Sequence, residues 1–275
     1  MEVYERPPSK LGTARLLTDE TSMSVAGEHK KASEGGALEL IKIVFHAIII
    51  AVVVRTLLFQ PFNIPSGSLI PTLLIGDYIF VSKYSYGYSR YSMPFSPNLF
   101  SGRIWASTPQ RGDIAVFKLP KDNSTDYIKR VIGLPGDRIQ MQDGLLYING
   151  EAVKREPAGS ESVVDGFGQR VDVPIYYETL PGGVRHRIME VYGDRGNLDN
   201  TEEYVVPADH YFMMGDNRDN STDSRVLGEV GYVPFENFVG KAQIIFFSVK
   251  EGSSVLEFWK WPWTVRTDRL LNFVR

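Results

Sequence analysis

Two serines flank a single glycine in "IPSGSLIPTLLIGD", residues 64–77, and their hydroxyls are the first candidates for chemistry in this chain. The flanking prolines and the glycine make a turn, and Gly67 lets backbone and substrate approach closely. Turns of this composition are common and usually do no chemistry. A hydroxyl is a poor nucleophile until a base takes its proton and donors hold the oxyanion, so Ser66 and Ser68 matter only if the chain also supplies a base.

"YIKRVIGLPGD", residues 127–137, offers one. Side chains alternate along a strand, so Tyr127, Lys129 and Val131 share one face while Ile128, Arg130 and Ile132 share the other. One of the two adjacent cations is then expected to point in among apolar groups. Burial disfavours an ammonium and lowers the pKa of a lysine. Moving it from about 10.4 to about 8 costs roughly 3 kcal/mol, a cost worth bearing if the neutral amine is a base. The bland alternative is a strand that ends at the surface with both cations in water. A third stretch, "MGDNRDNSTDSR" at 214–225, is dense in Asp, Asn, Ser and Arg. As a calcium loop starting at Asp219 it would have ligands at Ser221 and Asp223. It also puts Ser224 where the turn glycine belongs and Val230 where the closing Glu belongs, so it fails as that motif. Dense hydrogen bonding in such a loop can instead orient neighbouring side chains, a lysine included.

The elements that must position these groups follow from the rest of the chain. Residues 1–36 are polar and without apolar periodicity, as expected for a flexible tail. The segment "ALELIKIVFHAIIIAVVVRTLLF" follows. As a helix from Leu38 to Leu58 it would be about 31 Å long, enough to cross a bilayer. Ile43 to Val54 carry no charge, and Lys42 and Arg55 stand near the ends, where long basic side chains reach head groups. A core helix or a cleaved signal peptide are the alternatives; the long preceding tail and the lack of a small-residue cleavage site argue against the second. A transmembrane anchor is expected over 37–59. Lys30, Lys31 and Lys42 lie on or just before its amino-terminal side, while the next basic residue beyond Arg55 is Lys83. The positive-inside rule then places the tail in the cytoplasm and everything after the anchor outside.

Beyond the anchor, short β-branched and aromatic runs are cut by Gly, Pro, Asn and Asp, and Asn149-Gly150 marks a hairpin. The expected fold is mainly β, an antiparallel catalytic sheet over 60–139 and 204–275. A smaller β-rich subdomain over 140–203 interrupts it, more polar and irregular from about 150 onward. Near the carboxy terminus Trp259, Trp261 and Trp263 mix with Lys260, Arg266, Arg269 and Arg275, a composition suited to a membrane surface. The chain has no cysteine and only four histidines, which removes thiol chemistry and argues against a metal site built on Cys or His; no metal is expected among the site residues. A net charge of -3 gives no case for nucleic acid.

Taken together, the three polar stretches and the helix that leads into the first resemble the type I signal peptidases of bacteria, membrane-anchored serine proteases with a Ser/Lys pair. The resemblance covers about 38–139 and 204–248, with the motifs in the family's order. It implies Ser68 as nucleophile and Lys129 as general base. The oxyanion hole would be the Ser68 N–H with the Ser66 hydroxyl, and Ser221 would orient the lysine. Arg130 with Asp216 and Asp223 with Arg225 would be supporting pairs. It also implies a substrate pocket drawn from Phe62, Ile64, Pro65, Leu69, Leu73, Ile79, Val116, Tyr127 and Ile128, although ordinary core packing is the competing role for each. Leu69 stands where the family usually has Met. The implied activity is removal of signal peptides from exported pre-proteins after small residues at -1 and -3. The enzyme would be a monomer in the bacterial inner membrane, in contact with lipid and without a cofactor. A pilin- or conjugation-type processing peptidase with the same pair is the alternative, and a non-catalytic anchored β-domain the remote one.

Overall fold

The computed structural model describes residues 31–164 and 169–275, with side chains described from residue 36 onward except at 164. Most of the tail predicted over 1–36 therefore lies outside the described residues. Helix α1 (Lys31–Leu57) starts inside that stretch. Its apolar side chains from Leu38 to Leu57 stand 39–65% exposed. Gly36–Leu57 is long and apolar enough to cross a bilayer, at about 33 Å for 22 residues. Its strongly apolar, exposed surface is compatible with a single membrane span. By its internal contacts the chain divides into two compact units, residues 1–49 and 50–275.

The second unit is built of antiparallel strands. In chain order the first are β1 (Phe59–Asn63), β2 (Asp77–Ser82), β3 (Ile114–Lys118) and β4 (Asp126–Gly133). Then come β5 (Arg138–Gln142), β6 (Leu145–Ile148), β7 (Glu151–Ala152), β8 (Lys154–Val164), β9 (Arg170–Thr179) and β10 (Arg185–Met189). The last are β11 (Tyr204–Val205), β12 (His210–Met214), β13 (Val233–Pro234), β14 (Phe238–Ser248) and β15 (Asn272–Phe273). The principal sheet runs β1, β2, β14, β3, β4, β12, β13, with β15 also paired to β14. Alternation decides which residues face its core: in β2, Ile79 and Val81 are fully buried while Tyr78 and Phe80 are only partly so. Ile79 and Val81 join Ile64, Leu69, Leu73 and Val116 in one apolar cluster. Ala115, Val131, Met213 and Phe238 belong to a second.

β4 lies between β3 and β12 and is buried from Lys129 onward. Because both of its faces are covered, Lys129 and Arg130 are both inside, at 4% and 0% exposure. The expectation that only one cation would point inward is corrected on this point. Between β4 and β12 the chain makes two smaller sheets, β11, β5, β6, β7 and β10, β9, β8. The latter contains a long ribbon, β8 against β9, where the sequence looked irregular. A ribbon whose faces are largely wet carries polar residues on both sides, so the alternation that reveals a half-buried strand is missing.

The β6–β7 hairpin turns at Asn149 and Gly150, both at positive φ (56° and 82°), with Ile148 opposite Glu151. A side chain at Gly150 would sit in the left-handed region. Gly150→Ala is expected to lower stability by about 1 kcal/mol, read as a lower urea midpoint without a change in m.

Candidate active site

The segment that carries the two serines is held in a compact series of turns. The Ile70 N–H donates to the Gly67 carbonyl, and those of Thr72 and Leu73 both donate to the Leu69 carbonyl. Asp77 closes the segment, accepting from the Leu74 N–H at 2.8 Å and from the Arg269 guanidinium at 2.5 and 3.0 Å. Arg269 also donates to the Thr72 carbonyl and Arg266 to the Ile75 carbonyl, each at 3.0 Å. Leu69 and Leu73 anchor the turn in the core, which leaves Ser66 exposed and Ser68 at its inner edge, 7% exposed.

Lys129 reaches this turn from β4. Its Nζ donates to Ser68 Oγ at 2.6 Å. The Tyr127 ring, two residues earlier on the same face, lies 5.4 Å from the amine. Desolvation is the largest influence on Lys129 and lowers its pKa to about 8, against the pull of Asp223 and Asp216 toward the charged form. That pull is limited because both carboxylates have cations of their own. Arg130 meets Asp216 in a two-point contact of 2.8 and 2.7 Å. Arg225 meets Asp223 at 2.9 Å through both nitrogens. Burial opposes ionisation of both acids, yet the adjacent guanidinium outweighs it and holds each carboxyl below its ordinary range. A hydroxyl within hydrogen-bond reach of an amine that readily gives up its proton is the requirement for base-assisted nucleophilic attack.

A cleft of about 540 Å³ opens over this pair, lined by Pro65, Ser66, Ser68, Tyr127, Ile128 and Lys129 among others. The sequence missed Asn217, which lies on the cleft wall. Its backbone N–H donates to the Ser68 carbonyl and its side-chain amide to the Gly67 carbonyl, both at 3.1 Å. Asn220 and Thr222 also line the cleft. Those residues lie in the recognised polar loop, but only the three-dimensional path of the loop distinguishes them from their neighbours.

Residues 37–247 match the family model described as "Signal peptidase, peptidase S26". This chain belongs to the signal peptidase family. The chain is 48% identical over 210 residues to the signal peptidase I of Rickettsia typhi, covering 74% of this chain and 77% of that one. The Rickettsia conorii signal peptidase I is 44% identical over 241 residues, covering 82% and 88%. A crystal structure of a signal peptidase I from Enterococcus faecalis V583 is 27% identical, with a TM-score of 0.30, covering 49% of this chain and 97% of that one. The family is one of serine endopeptidases, and the antiparallel β architecture is the one expected of it.

The expected pocket residues separate into two groups. Pro65, Tyr127 and Ile128 line the cleft. Ile64, Leu69, Leu73, Ile79 and Val116 are at most 3% exposed and lie in the apolar cluster behind it, with Phe62 packed on that cluster's edge. They pack in the core beneath the cleft-lining residues, where large aliphatic side chains beside a sheet gain from close packing. Ser221 is buried next to Asp223 and favours that carboxylate's charge, but no hydrogen bond joins its hydroxyl to Lys129. It comes close to the site because Gly215 has no side chain. A Cβ there would lie 2.5 Å from both Ser221 Cβ and the Ser68 carbonyl oxygen. Gly215→Ala is expected to cost about 1–3 kcal/mol of stability through overpacking and to slow processing by moving Ser68. Denaturant unfolding and single-turnover cleavage, measured side by side, test it.

Proposed function

We propose that the chain removes signal peptides from exported pre-proteins by covalent catalysis at Ser68, with Lys129 as the proton carrier. The observation that carries this reading is the 2.6 Å contact between a buried amine and the Ser68 hydroxyl. When the amine is neutral the contact reverses and the hydroxyl donates to nitrogen. As Oγ attacks the scissile carbonyl carbon, its proton passes to Lys129. The carbonyl oxygen becomes an oxyanion held by the Ser68 N–H and the Ser66 hydroxyl. Among the described residues that N–H donates to no backbone carbonyl, so it is available. Lys129 then protonates the leaving amine, the C–N bond breaks, and an acyl-enzyme remains. Water, deprotonated by the same amine, attacks the ester and releases Ser68.

Packing behind the cleft supports a preference for small residues at -1 and -3. With Ile64 and Leu69 filling the core directly beneath the turn, little depth remains for a large side chain. Arg130 with Asp216 and Arg225 with Asp223 keep nearby negative charge from holding the proton on Lys129. Ser221, buried beside the site with an unpartnered hydroxyl, would orient the lysine. The exposed Trp259, Trp261 and Trp263 suit contact with lipid, so the cleft would meet its substrates near the membrane surface. Lys30, Lys31 and Lys42, at the amino-terminal end of the apolar span, support a cytoplasmic amino terminus and a catalytic domain on the outer side of the inner membrane. The enzyme would act as a monomer, with a catalytic sheet over 60–139 and 204–275 and an inserted subdomain between.

Purified enzyme with a pre-protein substrate tests the assignment. Ser68→Ala and Lys129→Ala are each expected to abolish cleavage while preserving the circular dichroism spectrum; activity retained by Lys129→Ala would remove the proposed base. Ser66→Ala should slow the reaction on the order of 10²–10³-fold, as for loss of one oxyanion donor. The base works only when deprotonated. With a pKa of about 8, kcat/KM should rise about tenfold per pH unit below that value and level off above it. A flat profile between about pH 6 and about pH 9 would mean that no such group titrates.

A further inference from the structure

Three carboxylates meet beside the polar loop, and their one ion-pair contact among the described residues is Arg155, 3.8 Å from Glu190. Glu190 follows β10, Asp199 lies in a turn of the inserted region, and Asp219 belongs to the polar loop, and their oxygens lie within 4.8 Å of one another. Glu190 and Asp199 are 0% and 1% exposed. Among the described residues, both carboxylate oxygens of Glu190 and Oδ1 of Asp199 accept no hydrogen bond. The guanidiniums nearby are engaged chiefly elsewhere, although Arg218 Nε and one terminal nitrogen of Arg225 have no hydrogen-bond partner among the described residues. Arg218 is held by Glu178 through two contacts, Arg225 by Asp223, and Arg155 by Asp194 at 2.9 Å, with Glu190 a further 3.8 Å contact.

The remaining geometry favours a ligand shell over a chance gathering of acids. Asp219 Oδ2 is fixed by the Tyr192 N–H at 2.7 Å and Asp199 Oδ2 by the Gly196 N–H at 2.5 Å. One oxygen of each acid is therefore anchored to backbone, and the other remains to bind. Gly196 is needed for this approach, since a Cβ there would overlap Asp219 Oδ1. Buried anions without partners are costly, and a coordinated cation is the standard remedy. Hard oxygen donors select a hard divalent ion. Three carboxylates from separate segments suit the flexible, high-coordination shell of Ca²⁺ better than the strict octahedron of Mg²⁺, which retains most of its water. A groove of about 650 Å³ that includes Tyr192, Gly196 and Asp219 gives an entry path.

We propose that Glu190, Asp199 and Asp219 bind a calcium ion that ties the inserted region to the loop bordering the Ser68 cleft. No linear motif would reveal it, because the ligands come from three separate segments. The ion would reinforce contacts already present: the Met189 N–H donates to the Asp216 carbonyl at 2.8 Å and the Arg218 N–H to the Met189 carbonyl at 3.0 Å. Asn220, adjacent to Asp219, lines the cleft. Occupancy would therefore stiffen one wall of the substrate groove.

The test uses full-length protein in a neutral detergent, stripped with chelator and then titrated with CaCl₂ or MgCl₂. Millimolar Ca²⁺ is expected to raise Tm by about 5 °C, as for a ligand well above its Kd, with a smaller rise for Mg²⁺. Asp219→Asn, a substitution at the more exposed ligand, should lose most of that shift and weaken binding about tenfold or more. Terbium luminescence excited through tyrosine gives a readout on the wild type alone, and Ca²⁺ should displace the terbium. Absence of any Ca²⁺-dependent change in both Tm and luminescence would overturn the proposal. So would an undiminished shift in an Asp199→Asn/Asp219→Asn protein. None of these measurements depends on Ser68 or on cleavage, so a failure here leaves the proposed protease chemistry to its own tests.

Discussion

A lysine amine taken out of water without a counter-ion of its own is the constraint around which this molecule is organised. Burying Lys129 costs about 3 kcal/mol at the pKa of about 8 that its surroundings impose. Such a cost is normally avoided by placing a carboxylate in contact, yet a direct ion pair would hold the proton on nitrogen and spoil a base. The fold takes a different course. Asp216 and Asp223 stand near enough to moderate the penalty, and Arg130 and Arg225 hold each of them in a two-point contact. The two ion pairs are thus part of the electrostatic setting of the lysine as well as part of the packing. The sign of the linkage follows: a lysine whose folded pKa is lowered destabilises the fold most below about pH 8, and that penalty fades as pH rises toward the unfolded value.

The same constraint explains why β4 is central. A strand can bury adjacent cations only if both of its faces are covered: β3 and β12 flank the edges of β4, while the Ser68 turn meets Lys129 and Asp216 of the polar loop meets Arg130. Asn217 then links the loop to the opposite partner, because it holds the carbonyls of Gly67 and Ser68 at the same time. Gly215 permits the close approach. Base, hydroxyl and loop are therefore positioned by one contiguous set of contacts, with the aliphatic cluster of Leu69 and Leu73 beneath it.

Much of this was legible in the sequence. The apolar helix, the β character, the Asn149-Gly150 turn and the three polar stretches all carry local signals: length, alternation, turn chemistry and composition. Other features have no local signal. Alternation could assign Lys129 and Arg130 to opposite faces but could not say that both faces would be covered. It could not separate Tyr127 and Ile128, which border the cleft, from Ile79 and Val116, which lie behind it. The β8–β9 ribbon was read as irregular because its faces are largely solvated. Asn217 was hidden among similar neighbours, and the meeting of Glu190, Asp199 and Asp219 depends wholly on tertiary path.

The clamp on Asp77 ties the Ser68 turn to a distant part of the chain. Arg269 and Asp77 are 192 positions apart, while the Ser68 and Lys129 side chains are separated by 61. Asp77 is fully buried, and Arg266 and Arg269 are the cations that face it among the described residues. Loss of both arginines would leave a buried carboxylate uncompensated and release the turn that it closes, so the distal segment is a structural part of the site although it contributes nothing to the cleft wall.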